Sequence, residues 1–172
     1  MKSSLVFVAV LALTTWLVVA SPSPSSSPSP ACTDPEFHQF DFWLGEWTVK
    51  DPEGKGLGRS EISRVADGCA IREQWHDADG SEGMSLNYFD RNDRQWHQDW
   101  VGGKGGILHL QGTLKENAMI LSGETRKGEK VTLHRVTWKA LPNHTVEQKW
   151  ESSADQAGNW KVVFLGYYWK RS

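Results

Sequence analysis

Turn signals interrupt this chain about every dozen residues, and no helical stripe between them is long enough to compete. They include Asp51-Pro52-Glu53-Gly54, Asp67-Gly68, Asp79-Gly80, Asn92-Asp93, Gly102 to Gly106, Glu116-Asn117, Lys127-Gly128, Pro142-Asn143 and Gly158-Asn159. The intervening segments are short and rich in Val, Ile, Thr, Trp and Tyr, residues that fit a pleated, half-buried surface. The spacing predicts an all-β domain with strands over 43–50, 58–66, 69–76, 82–90, 94–101, 106–114, 118–125, 130–138, 144–152 and 160–169. Short connections favour antiparallel hairpins in up-and-down order. A twisted meander of about ten strands closes on itself, which removes its exposed edges.

A helical start precedes the first strand. Thr33-Asp34-Pro35-Glu36-Phe37 supplies a cap residue, a proline at the first helical position and an acid in the first turn. One or two turns should end near Phe42. Upstream, Met1-Lys2-Ser3-Ser4 is a short basic start and Leu5 to Ala20 is an almost unbroken apolar run. Sixteen helical residues reach about 24 Å, short of the roughly 30 Å of a bilayer core. Residues 1–20 therefore read as a secretory signal peptide, with an uncleaved anchor or lipidation of Cys32 as alternatives. Residues 21–33 form a Ser/Pro-rich linker with nothing to bury, and 34–170 form one domain. The expected location is secreted or periplasmic, with no membrane span once the signal is removed.

Loss of Lys2 with the signal leaves 18 of the 19 basic side chains against 21 acidic ones, a net charge of −3. No basic stripe fits that balance, so nucleic acid is not expected as a partner. Two cysteines, Cys32 and Cys69, suit an exported protein with one disulfide. The alternative has Cys69 packed as a small apolar residue and Cys32 free.

Alternation sorts the strands into two faces. One set holds Trp43, Gly45, Trp47 and Val49; Cys69, Ile71, Glu73 and Trp75; and Trp96, Gln98 and Trp100. It continues with Val146, Gln148, Trp150 and Ser152, and with Trp160, Val162, Phe164, Gly166 and Tyr168. These are the more apolar sets and should point inward, carrying most of the ten tryptophans. Arg135, in step with Val131 and Leu133, joins Glu73, Gln98 and Gln148 as a polar residue on the expected inner face. Such groups need partners, because burying them unpaired costs about 1–3 kcal/mol each and more for charges. The partners are one another, trapped water or a ligand.

The chain resembles an uncharacterised lipocalin-like family of the calycin superfamily, which also holds lipocalins, fatty-acid-binding proteins and nitrobindins. The resemblance is carried by Phe40-Asp41-Phe42-Trp43-Leu44-Gly45-Glu46-Trp47, Gly68-Cys69-Ala70-Ile71-Arg72-Glu73-Gln74-Trp75 and Trp96-His97-Gln98-Asp99-Trp100. It continues through Arg135-Val136-Thr137-Trp138, Val146-Glu147-Gln148-Lys149-Trp150 and Trp160 to Phe164, and so covers nearly all of Phe37 to Tyr168. It implies a barrel with a central cavity whose end is plugged by the helical turn. It leaves the cargo open.

Trp75, Trp96, Trp100 and Trp150 are candidates for a stacking cage. Gln98, Gln148 and Arg135 would fix the polar end of a guest, Arg135 by forked donors suited to a carboxylate. The expected partner is thus a small hydrophobic or amphipathic molecule with an acidic group. Glu73, between Ile71 and Trp75, is the one candidate acid or base, since an apolar wall raises a carboxyl's pKa; an ion pair with Arg135 is its structural alternative. No cofactor is expected. Nitrobindins hold haem through a histidine, but here His76, His97 and His134 fall on expected outer faces, and His109 competes with Leu108 and Leu110 for the inner one. No metal-ligand constellation stands out.

Three readings follow. The first is an exported barrel that holds a partly hydrophobic ligand in a tryptophan-lined cavity. The second is an enzyme of the same fold, an isomerase, cyclase or hydrolase with Glu73 as acid–base. The third is an interaction domain whose barrel is filled by its own side chains. A cavity of about 300 Å³ or more favours the first two.

Overall fold

The computed structural model describes residues 32–154 and 158–171. The expected signal segment, and most of the linker, lie outside the described residues. So does part of the last hairpin loop.

Ten strands form a closed antiparallel barrel: β1 (Gly45–Lys50), β2 (Gly56–Val65), β3 (Ala70–Asp77), β4 (Glu82–Asp90) and β5 (Gln95–Gly102), followed by β6 (Ile107–Lys115), β7 (Ala118–Lys127), β8 (Lys130–Ala140), β9 (Val146–Ser153) and β10 (Lys161–Lys170). Each strand pairs with its neighbours in sequence, and β1 closes the ring against β10 through Trp47↔Lys170 to Lys50↔Tyr167. The architecture is consistent with the calycin-like barrel implied by the resemblance.

The helical start differs in kind from the expectation. Two short 3-10 turns form, Pro35–His38 and Asp41–Trp43, and the Asp34 carboxylate caps neither. It pairs with Arg91 at 2.7 Å instead, while the neighbouring Glu36 pairs with Arg94 at 2.9 Å. A segment this short gains more from anchoring to the barrel than from its own helical bonds. Trp43 belongs to the second turn and not to β1, so it lies across the barrel end rather than in the strand's inner row.

These turns close one end. Phe40 stacks on Trp43 at 5.0 Å and meets Trp96 and Trp138 edge-on at 5.6 and 5.2 Å. Phe40, Trp43, Trp96 and Trp138 are buried to within 1 % of complete exclusion. Arg64 of β2 pins the plug from outside: it donates to the carbonyls of Gly68 (2.6 Å) and Phe37 (3.0 Å) and pairs with Asp41. Cys32 and Cys69 form a disulfide with Cα atoms 5.0 Å apart, joining the segment before the plug to the turn that starts β3. Of the two alternatives open for these cysteines, the bridge is the one realised.

Four facing assignments are corrected. Arg135 points outward, because Val136 and Trp138 of β8 are buried and a strand offers only one parity to the interior. His134 shares the parity of Val136 and Trp138 and is buried, not outward as expected. In β10 a bulge between Val162 and Phe164 shifts the register. Phe164, Gly166 and Tyr168 keep the inner parity, but Val162 pairs with Glu151 on the outer face and is 59 % exposed. Trp160 lies outside as well, under the Arg135 guanidinium at 4.4 Å.

Candidate functional site

Away from the plug, the barrel interior is polar and partly hollow. Its centre is Glu73, whose position follows from the period of β3: Ile71, Glu73, Trp75 and Asp77 share one parity, and Glu73 is only 3 % exposed. Ser85 of β4 sits directly opposite Glu73, and Ser60 of β2 lies one diagonal away. Their hydroxyls donate to the two carboxylate oxygens, Ser60 to Oε1 and Ser85 to Oε2, each at 3.0 Å.

The network continues around the wall. Asn87 Nδ2 donates to Ser85 Oγ at 3.0 Å and to the Ile71 carbonyl at 3.2 Å. Gln98 Nε2 donates to Asn87 Oδ1 at 2.8 Å. Across the barrel the Tyr168 hydroxyl donates to Gln148 Oε1. Burial pushes the Glu73 carboxyl up to about 7 against the opposing pull of the two serine hydroxyls. Burial, then the neighbouring Glu73 charge, holds Tyr168 well above the usual phenol range.

Beside this network lies a cavity of about 200 Å³. Glu73, Gln98 and Gln148 reach it from the polar side, and Trp75, Trp100, Trp150 and Phe164 wall it, with Asp77 also lining it. Two indoles lie where neighbouring strands have no side chain: a Cβ on Gly58 would stand 2.7 Å from the Trp75 ring, and one on Gly83 would stand 2.4 Å from the Trp100 ring. These glycines are the reason both rings can lie against the sheet and leave space at the axis.

The structure therefore brings together six of the eight proposed binding residues: Glu73, Trp75, Gln98, Trp100, Gln148 and Trp150. Two lie elsewhere. Trp96 is packed under the plug, its indole N–H donating to Gln39 Oε1 at 3.2 Å. Arg135 is on the outer wall, where it donates to Glu151 Oε2 at 3.0 and 3.2 Å through two nitrogens. The proposed Glu73–Arg135 ion pair is replaced by the two serine hydrogen bonds.

Sequence reasoning missed Ser60, Ser85, Asn87, Asp77, Phe164 and Tyr168 as parts of the site. The available signal was β4, where Ser85 and Asn87 alternate with Met84 and Leu86. Read by hydrophobicity alone, that strand turns its apolar residues inward. It does the reverse: Met84 and Leu86 are 48 % and 40 % exposed, and Ser85 and Asn87 are fully buried. The small hydroxyl and amide are what a buried carboxylate requires on the adjacent strand.

The histidines divide between inner and outer positions. His109 is outward, beside Asp99 at 2.6 Å, because Leu108 and Leu110 take the inner parity of β6. His134 accepts from Trp150 Nε1 at 3.2 Å and contacts Thr125 Oγ1 at 2.9 Å, and burial lowers its pKa. Asp90, Asp93 and His97 bring one ligand atom each within 4.8 Å of one another at the β4–β5 turn. The carboxylates also brace that turn, Asp90 through the Asn92 amide at 2.7 Å and Asp93 through the Gln95 amide at 2.9 Å.

Among the described residues, no helix is long and apolar enough to cross a membrane. Compared with protein-family models and with curated proteins, the chain matches none. The barrel and its hollow, polar-sided interior are thus what bear on function.

Proposed function

We propose that this protein is an exported barrel that holds a small, partly hydrophobic molecule in its tryptophan-lined cavity. One observation carries the reading: Trp75, Trp100, Trp150 and Phe164 converge on a void of about 200 Å³ that a polar network borders on one side. Apolar walls with a few fixed polar groups are the usual make-up of a ligand site. The volume falls short of the roughly 300 Å³ named above as favouring a ligand site, so the reading rests on the lining and not on size, and the guest is small. Export is supported by the basic start, the apolar run of Leu5 to Ala20 and the Cys32–Cys69 bridge, since disulfides persist in oxidising compartments.

The expectation of an acidic guest rested on Arg135 and does not carry over, because that guanidinium is outside the barrel. An enzymatic reading retains one supporting observation, the buried Glu73 carboxyl titrating near neutrality.

Native mass spectrometry of protein purified from its own source tests the binding reading. A co-purified molecule that is retained by the parent protein and lost in Gly83→Leu supports it, because the leucine drives Trp100 into the cavity. A guest retained equally by a folded Gly83→Leu variant counts against it.

A further inference from the structure

We infer that the cavity selects an organic cation, an amine or ammonium with a small hydrophobic body, whose charged head is held between the Glu73 carboxylate and the surrounding indoles. The inference rests on the cavity reading above and names the class of guest.

The charge of the lining supports it first. Among the described residues, those around the cavity include two carboxylates, Glu73 and Asp77, and no Lys, Arg or His. Arg135, the positive partner expected for Glu73, is held outside by Glu151. His134, on the inner parity of β8, is kept toward its neutral form by burial. Tyr168 is likewise kept neutral, and its hydroxyl is directed to Gln148. Ser60, Ser85 and Gln98, the other polar neighbours of Glu73, carry no charge. No group facing Glu73 from β2, β4, β5, β8, β9 or β10 neutralises its ionised form, so a cation entering the cavity meets an uncompensated carboxylate.

The hydrogen-bond polarity points the same way. The Ser60 and Ser85 hydroxyls donate to Glu73, Gln98 Nε2 donates to Asn87, Tyr168 donates to Gln148 and Trp150 Nε1 donates to His134. These donors are engaged within the protein, and the amide donor left over on the lining, Gln148 Nε2, is neutral, so an anion would gain one hydrogen bond there without a countercharge. A guest that itself donates finds the Glu73 oxygens. The walls suit it too, since the faces of tryptophan and phenylalanine attract a cation electrostatically, most strongly where water is excluded.

Binding displaces the Glu73 proton to solvent whenever the carboxyl is protonated, and forms no covalent bond. Affinity for a permanently charged cation should therefore fall about tenfold per pH unit below the Glu73 titration and level off above it.

Calorimetric titration with benzylamine, benzyl alcohol and benzoate tests this, with tetramethylammonium as a cation that cannot lose its charge. At about pH 8 benzylamine should bind roughly tenfold or more tightly than benzyl alcohol, the scale of a desolvated cation–aromatic contact, and benzoate should bind weakest. Glu73→Gln should remove most of the benzylamine advantage and flatten the pH dependence of tetramethylammonium binding. Should that variant fail to fold, Trp100→Leu must weaken benzylamine more than benzyl alcohol. Equal or tighter binding of benzyl alcohol or benzoate overturns the cation inference and leaves the cavity reading standing. If none of the four probes binds, both fall together.

Discussion

The two ends of the barrel are built from the same residue types and behave as opposites. At the plugged end, Phe40, Trp43, Trp96 and Trp138 pack ring to ring with nothing between them. At the other end, Trp75, Trp100 and Trp150 stand around a void. The difference does not lie in the tryptophans. A 3-10 segment fills the first end with two more aromatic rings. At the second, no element among the described residues enters the axis, and Gly58 and Gly83 let the indoles lie against the sheet. An aromatic interior becomes core or cavity according to what the chain inserts between its rings.

The sharpest way to break this comparison is to truncate one ring at each end. Trp43→Ala should cost about 3–5 kcal/mol, the range for a fully buried tryptophan, while Trp100→Ala, half-buried at the cavity, should cost well under half as much. Denaturant unfolding of both variants measures the gap. Equal losses would mean that the cavity indoles are core after all.

The plug also depends on its tethers. Reducing the bridge, or replacing both cysteines by serine, should cost roughly 2–4 kcal/mol, because it frees a loop closed over 37 residues. Thermal unfolding with and without reductant reads this. An unchanged midpoint would show that Arg64 and the aromatic contacts suffice to hold the plug.

Glu73 distinguishes the hollow end by pH. Its carboxyl is raised from an ordinary 4.5 to about 7 by burial. Below about pH 4.5 folded and unfolded states are both protonated and the group has no effect. Between the two values the unfolded chain loses its proton first, so stability falls as pH rises, reaching a deficit of roughly 3 kcal/mol above pH 7. Glu73→Gln removes that deficit, since its amide oxygen can accept from Ser85 and its nitrogen can donate to Ser60. The variant's gain in melting temperature should be absent at low pH and largest above neutrality. A gain independent of pH would show that Glu73 ionises as readily inside as outside.

The smallest expected effect belongs to Arg135. Its bond to Glu151 lies on a half-exposed outer face, so Arg135→Gln should change stability by about 0–1 kcal/mol and leave guest binding unaltered. Loss of binding would restore the inward-facing role that the sequence suggested.

The strand plan was legible because turns are local: Asp-Gly, Asn-Asp and Lys-Gly pairs mark chain reversals whatever lies beyond them. Glu73, Trp75, Gln98, Trp100, Gln148 and Trp150 were legible for the same reason, since alternation within β3, β5 and β9 is uninterrupted. Alternation misled where a neighbour decided. The bulge after Val162 turned Trp160 outward, and the buried Val136 and Trp138 claimed the inner parity that Arg135 was assigned. In β4 the inner face went to Ser85 and Asn87, because pairing with β3 and β5 places them against Glu73 and Gln98.

The amino-acid order alone thus determined an antiparallel barrel of ten strands, an aromatic interior and a carboxyl set among apolar neighbours, all properties of short segments. Which rings touch, where space remains and which charges share it were decided only when β10 closed on β1. Closure fixes every strand's register at once, and with it the face that each side chain must take.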